Sequence, residues 1–197
     1  AISMILNARK SSLPYHIRNT NHHQTYTGVH TFKHLRTAVD DTNGIFIAHE
    51  GKPILAMFDI CCGGVIPAHI SGFDFRKAPY LARPYPCTFC QGCKIYAWEV
   101  FYSSDQLISL LKTHDPSLNG IHDLRITQYD KAGLVKQVSI HGKKRSINVT
   151  GKRVYSLLKN IRSFCFSAHK QSHGILFKGR GFGHHLGICQ WGVREME

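Results

Sequence analysis

Residues 67–96 carry no helix or strand signal, only prolines, glycines, aromatics and three cysteines spaced Cys87-x2-Cys90-x2-Cys93. A structureless stretch of about 30 residues is uncommon inside a compact domain unless something ties it down, and the sulfurs are the available tie. Cys61 and Cys62 stand just before the stretch; Cys165 and Cys189 lie far downstream. With 7 cysteines in the chain, not all can pair internally. The step Cys87-Thr88-Phe89-Cys90 has the spacing of a zinc knuckle, Cys93 adds a third sulfur three residues on, and Cys62 can supply the fourth. The expected metal set is therefore Cys62, Cys87, Cys90 and Cys93, with zinc as the ion and Cys61 and His69 in reserve. Disulfides are the alternative, natural outside the cytoplasm, although cysteines in one short knuckle pair poorly with each other. An iron–sulfur cluster is a third reading. Cys165 and Cys189 read as small buried residues, or as a disulfide between the last strands.

Around this loop the hydrophobic pattern alternates in short runs. Residues 45–49 and 53–60 flank Glu50-Gly51-Lys52, which predicts a hairpin. Residues 124–129 and 134–140 flank Asp130-Lys131-Ala132-Gly133, a second hairpin, with a third strand over 146–149. Trp98 to Tyr102 reads as a strand, 163–168 and 174–177 as two more. Helices are expected over 35–39, over 105–112 behind a Ser104 cap, and over 152–159. Residues 13–26, with the pair His22-His23, read as a loop. Runs of hairpins broken by single helices predict an α+β fold with mainly antiparallel strands and a few short helices, not an alternating βαβ plan. We expect one domain over 1–197, arranged as two small lobes around a groove with a lobe junction near 101–120.

The charge balance narrows the partners. The chain has 25 Lys and Arg against 12 Asp and Glu, a formal net charge of +13, which attracts polyanions. No run of about 18 apolar residues is present, so no membrane span is expected. Residues 1–10 lack a basic leader before their short apolar run and read as the end of a helix rather than a signal peptide, so a targeting segment is expected upstream. No DNA- or RNA-reading motif accompanies the positive charge, which argues against a zinc-stabilised nucleic-acid-binding domain.

The last informative segment is Gly179-Arg180-Gly181-Phe182-Gly183-His184-His185-Leu186-Gly187-Ile188-Cys189-Gln190-Trp191-Gly192. Glycine at this density costs unfolded-state entropy, so it must serve unusual backbone angles or close backbone approach. Between the glycines stand a cation, an imidazole, an amide and an indole, the groups with which proteins bind sugar hydroxyls, acetamido groups and pyranose faces. A bend whose histidine and tryptophan merely pack is the bland alternative. The spacing is not G-x-G-x-x-G and no βαβ unit surrounds it, so a dinucleotide site is excluded.

This segment resembles the G-R-G-[WF]-G-H-[GH]-x-G-[MI]-x-Q-[WY]-G signature of the SpoIID/LytB family of bacterial cell-wall proteins. Gln24-Thr25-Tyr26-Thr27-Gly28, Ala38-Val39-Asp40-Asp41-Thr42-Asn43-Gly44, Cys62-Gly63-Gly64, Tyr80-Leu81 with Trp98, and Arg162-Ser163-Phe164-Cys165-Phe166 resemble further family blocks in the same order. The resemblance implies lytic transglycosylase activity on peptidoglycan glycan strands stripped of stem peptides, or enhancement of a cell-wall amidase. It implies an extracytoplasmic location, zinc in the cysteine loop, and a glycan site built from Arg180, Gly181, Gly183, His184, Gly187, Gln190 and Trp191. Denuded glycan bears a lactyl carboxylate on each disaccharide, a polyanion that suits the positive charge. A transglycosylase also needs a carboxylic acid held protonated near neutrality. In the family that Glu precedes the helix in which this chain begins, so the chain reads as a fragment clipped at both ends. Glu50 and Glu99 read as a turn residue and a strand-face ion-pair partner, Asp40 and Asp41 as capping groups. No catalytic acid is assigned, and the fragment is expected to bind rather than cut.

Overall fold

The computed structural model describes residues 12, 14–20, 25–116, 118 and 120–196. The helix end expected over 1–10 lies outside the described residues, as do His22, His23 and Gln24. The fold is α+β, with short helices and mostly antiparallel strands. None of the described helices is long and apolar enough to cross a membrane.

The chain divides into two compact units, residues 1–56 and 57–197. The first holds α1 (Lys33–Asp41) and a two-stranded hairpin, β1 (Ala48–His49) with β2 (Lys52–Pro53). Glu50 and Gly51 form its turn, both at positive φ. The hairpin is shorter than its apolar flanks suggest, with two residues in each strand.

The second unit carries two three-stranded antiparallel sheets. In one, β9 (Gly174–Arg180) lies between β4 (Ala97–Ser103) and β8 (Phe166–Gln171). In the other, β6 (Val135–Gly142) lies between β5 (Ile121–Tyr129) and β7 (Ser146–Thr150). The β5–β6 turn is fixed by Asp130, whose Oδ1 accepts the N–H groups of Ala132 and Leu134, each at 2.9 Å. Helices α2 (Ser104–Lys112) and α3 (Gly151–Leu157) contribute Leu107, Leu111 and Val154 to the core shared by both sheets. At its centre the Phe177 ring meets Tyr102 and Phe166 edge-on, each 5.9 Å away. Residues 101–120, where a lobe junction is expected, run from β4 through α2 into this single core. Glu99 pairs with Lys178 across the β4–β9 ladder at 2.7 Å, the strand-face role expected of it.

The cap of α2 is Ser103, one residue before the expected Ser104. Ser103 Oγ accepts the Gln106 N–H at 3.2 Å, and Gln106 Oε1 accepts the Ser103 N–H at 2.9 Å, a complete capping box. Ser103→Ala is expected to cost about 1 kcal/mol, read as a drop in melting temperature of roughly 2–4 °C.

Two further strands position the site. The short β3 (Phe58–Asp59) pairs in parallel with β10 (Ile188–Cys189). Between these pairings the glycine-rich segment stays beside residues 57–63. Phe182 N–H donates to the Cys61 carbonyl at 2.7 Å, and Cys61 N–H returns to the Phe182 carbonyl at 3.2 Å. Ile188 and Trp191 N–H groups donate to the Met57 and Ile60 carbonyls. Helix α4 (Gln190–Arg194) ends the run.

Candidate metal centre

Residues 67–96 contain only two 3-10 turns, Pro67–His69 and Pro79–Leu81, and pack as irregular chain. Their cysteine run turns back on itself through Gln91 N–H to the Thr88 carbonyl and Cys93 N–H to the Cys90 carbonyl. This carries Cys87 and Cys90 to the end of β3, where Cys61 and Cys62 follow. β10 delivers Cys189 from the other side.

The sulfurs of Cys62, Cys87, Cys90 and Cys189 all lie within 4.8 Å of one another, a set that can hold a metal ion. Cys62 Sγ and Cys90 Sγ are 3.7 Å apart. Three of the four expected ligands are in this set. The fourth sulfur is that of Cys189 in place of Cys93, whose Sγ lies 3.6 Å from Cys61 Sγ. Cys189 enters because the parallel β3–β10 pairing sets it opposite Asp59, within reach of Cys61 and Cys62. Its sulfur accepts the N–H groups of Cys62 and Gly192, each at 3.3 Å. Hydrogen bonds from the Cys61 and Cys62 thiols, together with these N–H groups, push its pKa far down. Donating to Cys189, reinforced by burial, pushes the two donor thiols up. The cluster thus favours a thiolate at Cys189, the form that ligates metal. No disulfide is formed by any of the seven cysteines. Cys165, 8% exposed, stays apart and contacts Arg180 Nε at 3.4 Å.

The glycine-rich segment supplies the second tier. His185 is buried and Nδ1–H donates to the Cys62 carbonyl at 2.9 Å, fixing the backbone of one thiol. Burial pushes its pKa down to about 4, so the ring is neutral at physiological pH and only Nδ1 carries the proton. Trp98 Nε1–H donates to the Gly181 carbonyl at 3.0 Å. A Cβ on Gly183, at φ +133°, would overlap the Asp59 carboxylate, and one on Gly187, at φ +87°, would overlap the Met57 carbonyl. Gly181 is buried with its Cα facing the His185 ring and the Cys61 carbonyl. These three glycines therefore admit the protein's own residues 57–63, with Gly183 and Gly187 remaining half-buried.

The polar residues of the segment point elsewhere. Arg180 and Gln190 are exposed and His184 is half-buried. Trp191 packs against the cysteine cluster, and the Arg194 guanidinium sits 4.9 Å over its ring, so an indole face expected for a sugar is already occupied. Sequence reasoning overlooked Asp59. Its Oδ1 accepts the His184 N–H at 2.7 Å, while Oδ2 is buried without a partner. Burial raises its pKa to about 7 against the lowering effect of the His184, His185 and Leu186 N–H groups. Burial also lowers His184, whose Nδ1 accepts the Leu186 N–H and lies 3.4 Å from Asp59 Oδ1. Charge is thus disfavoured on both partners, and the contact is not a full ion pair. An acidic residue two places before paired cysteines was the only sequence signal for it.

A family model described as a domain of unknown function (DUF8618) matches residues 89–187, from the cysteine loop through both sheets into the glycine-rich segment. Over 196 residues, 98% of this chain, the sequence is 27% identical to an uncharacterized protein of Brachyspira hyodysenteriae. The chain spans about half of that relative's length, 51%.

Proposed function

The chain belongs to the DUF8618 family, and we propose that its glycine-rich segment, anchored by a structural zinc, binds the glycan strands of peptidoglycan. The observation that carries this reading is the pairing of a locked base with outward polar groups on one segment. Cys189 and His185 tie the segment to the thiol set, while Arg180, His184 and Gln190 remain at least partly exposed. Preorganised donors and acceptors suit sugar hydroxyls and acetamido groups, since little ordering entropy is then lost on binding. The resemblance of residues 179–192 to the SpoIID/LytB signature gives the substrate class, and the charge of +13 suits lactyl carboxylates.

Zinc is the ion we assign, because four cysteine sulfurs all within 4.8 Å of one another suit a closed structural zinc site. The activity proposed is binding without cleavage. Asp59 is held close to protonated at neutral pH, but its unpartnered oxygen is buried and cannot reach a glycosidic bond. A non-cutting binder of this kind fits beside a cell-wall amidase, outside the cytoplasmic membrane where glycan strands lie.

Pelleting assays with denuded glycan test the reading. The chain should pellet with the glycan, less so as salt rises, because exposed charge is screened within about 8 Å at physiological ionic strength. His184→Ala and Gln190→Ala should each weaken binding about five- to tenfold, the worth of one net hydrogen bond; the melting temperature should stay nearly unchanged for exposed Gln190→Ala and fall slightly for His184→Ala, which removes the acceptor of the Leu186 N–H. Equal affinity for single-stranded DNA, or variants that melt early yet bind normally once folded, would sink the glycan site. Release of 1,6-anhydro products would show an acid in this chain after all.

A further inference from the structure

Two of the six cysteines in the cluster lie outside the four-sulfur set. Cys61 is fully buried and Cys93 is half-buried, with their sulfurs 3.6 Å apart. Cys61 also makes side-chain contacts with Cys189 and Cys90. Cys62 contacts the same two sulfurs. Cys90 and Cys189 are thus each shared by Cys61 and Cys62, while Cys87 completes the four-sulfur set with Cys62 and Cys93 adds its sulfur beside Cys61.

The distances fit metal better than a disulfide. Around a tetrahedral zinc with Zn–S near 2.3 Å, neighbouring sulfurs sit about 3.8 Å apart. The Cys61–Cys93 and Cys62–Cys90 sulfur separations, 3.6 and 3.7 Å, match that edge. A disulfide between Cys61 and Cys93 would satisfy only that pair and leave the contacts of Cys61 with Cys90 and Cys189 unexplained. Six thiols crowded in one largely buried cluster would each face desolvation on ionising, a cost that two divalent ions relieve more completely than one.

We infer that the six cysteines hold two zinc ions, Cys62 and Cys87 on one, Cys61 and Cys93 on the other, with the Cys90 and Cys189 sulfurs bridging both. Each ion then has four sulfur ligands. Six thiolates against two divalent cations leave a net charge of −2. The Cys62 and Gly192 N–H groups on Cys189, each at 3.3 Å, spread part of it. This inference rests on the zinc reading above and adds the second ion.

Elemental analysis of the full chain, purified under reducing conditions without chelator, tests it with zinc as the probe. Two zinc ions per chain are expected. Cys93→Ala, a change at a half-buried loop position, should lower the count to one while the fold persists; Cys61→Ala should do the same. Cys165→Ala should leave the count at two. Cadmium substitution should give two ¹¹³Cd resonances coupled through the bridging sulfurs. One zinc per chain in the unaltered protein would overturn the second ion while leaving the first. A mass deficit of a Cys61–Cys93 disulfide would do likewise. No zinc at all would overturn the zinc reading itself.

Discussion

If the four-sulfur set holds the proposed zinc, stripping it with a strong chelator should lower the melting temperature by roughly 10–20 °C. Metal bound to a site absent from the unfolded chain contributes its binding energy to folding, and a domain of this size shifts about 2–4 °C per kcal/mol. The loss should be local before it is global. The cysteine cluster has its own small set of neighbours, Ile95, Tyr96, Phe182 and Trp191, separate from the main core around Phe177. Hydrogen exchange should therefore rise first in residues 57–96 and 181–193, whereas β5, β6 and β7 keep their protection until the whole unit opens. Cys90→Ala, removing a fully buried sulfur, should reproduce the effect without chelator. Uniform loss of protection, or a melting temperature indifferent to chelator, would mean that residues 67–96 are held by packing alone.

Gly183→Ala should be strongly damaging, costing on the order of 4 kcal/mol. Two costs add. The residue sits at φ +133°, and its Cβ would overlap Asp59 Oδ1, the atom that accepts the His184 N–H. Asp59 cannot yield easily, because it is 3% exposed and β3 is pinned by β10. Gly133 is the control. It also has positive φ, +82°, but nothing lies within 4 Å of its Cβ direction. Gly133→Ala should therefore cost only the backbone strain, about 1–2 kcal/mol. Chemical denaturation of the two variants decides the matter; equal losses would remove the Asp59 overlap from the account.

Much of the fold was legible because its determinants are local. The alternation on either side of Asp130-Gly133 marks β5 and β6, whose register follows from the side that must be buried. The leucine spacing marks α2, and Gln106 three residues after Ser103 fixes its start. The C-x2-C spacing foretold that Cys87 and Cys90 would meet Cys62. Other features depended on pairings that no short window contains. Cys189 replaced Cys93 because β10 runs parallel to β3 across about 130 residues of intervening chain, and parallel pairing of distant strands leaves no turn signal to read. Asp59 was invisible for the same reason: the His184, His185 and Leu186 N–H groups that meet it come from the far end of the sequence. Sequence alone thus determined which residues could ligate, turn or cap, since those capacities belong to side chains and their near neighbours. Only the tertiary structure decided which sulfurs share a site and what the glycines admit, because long-range strand pairing sets which distant backbones touch.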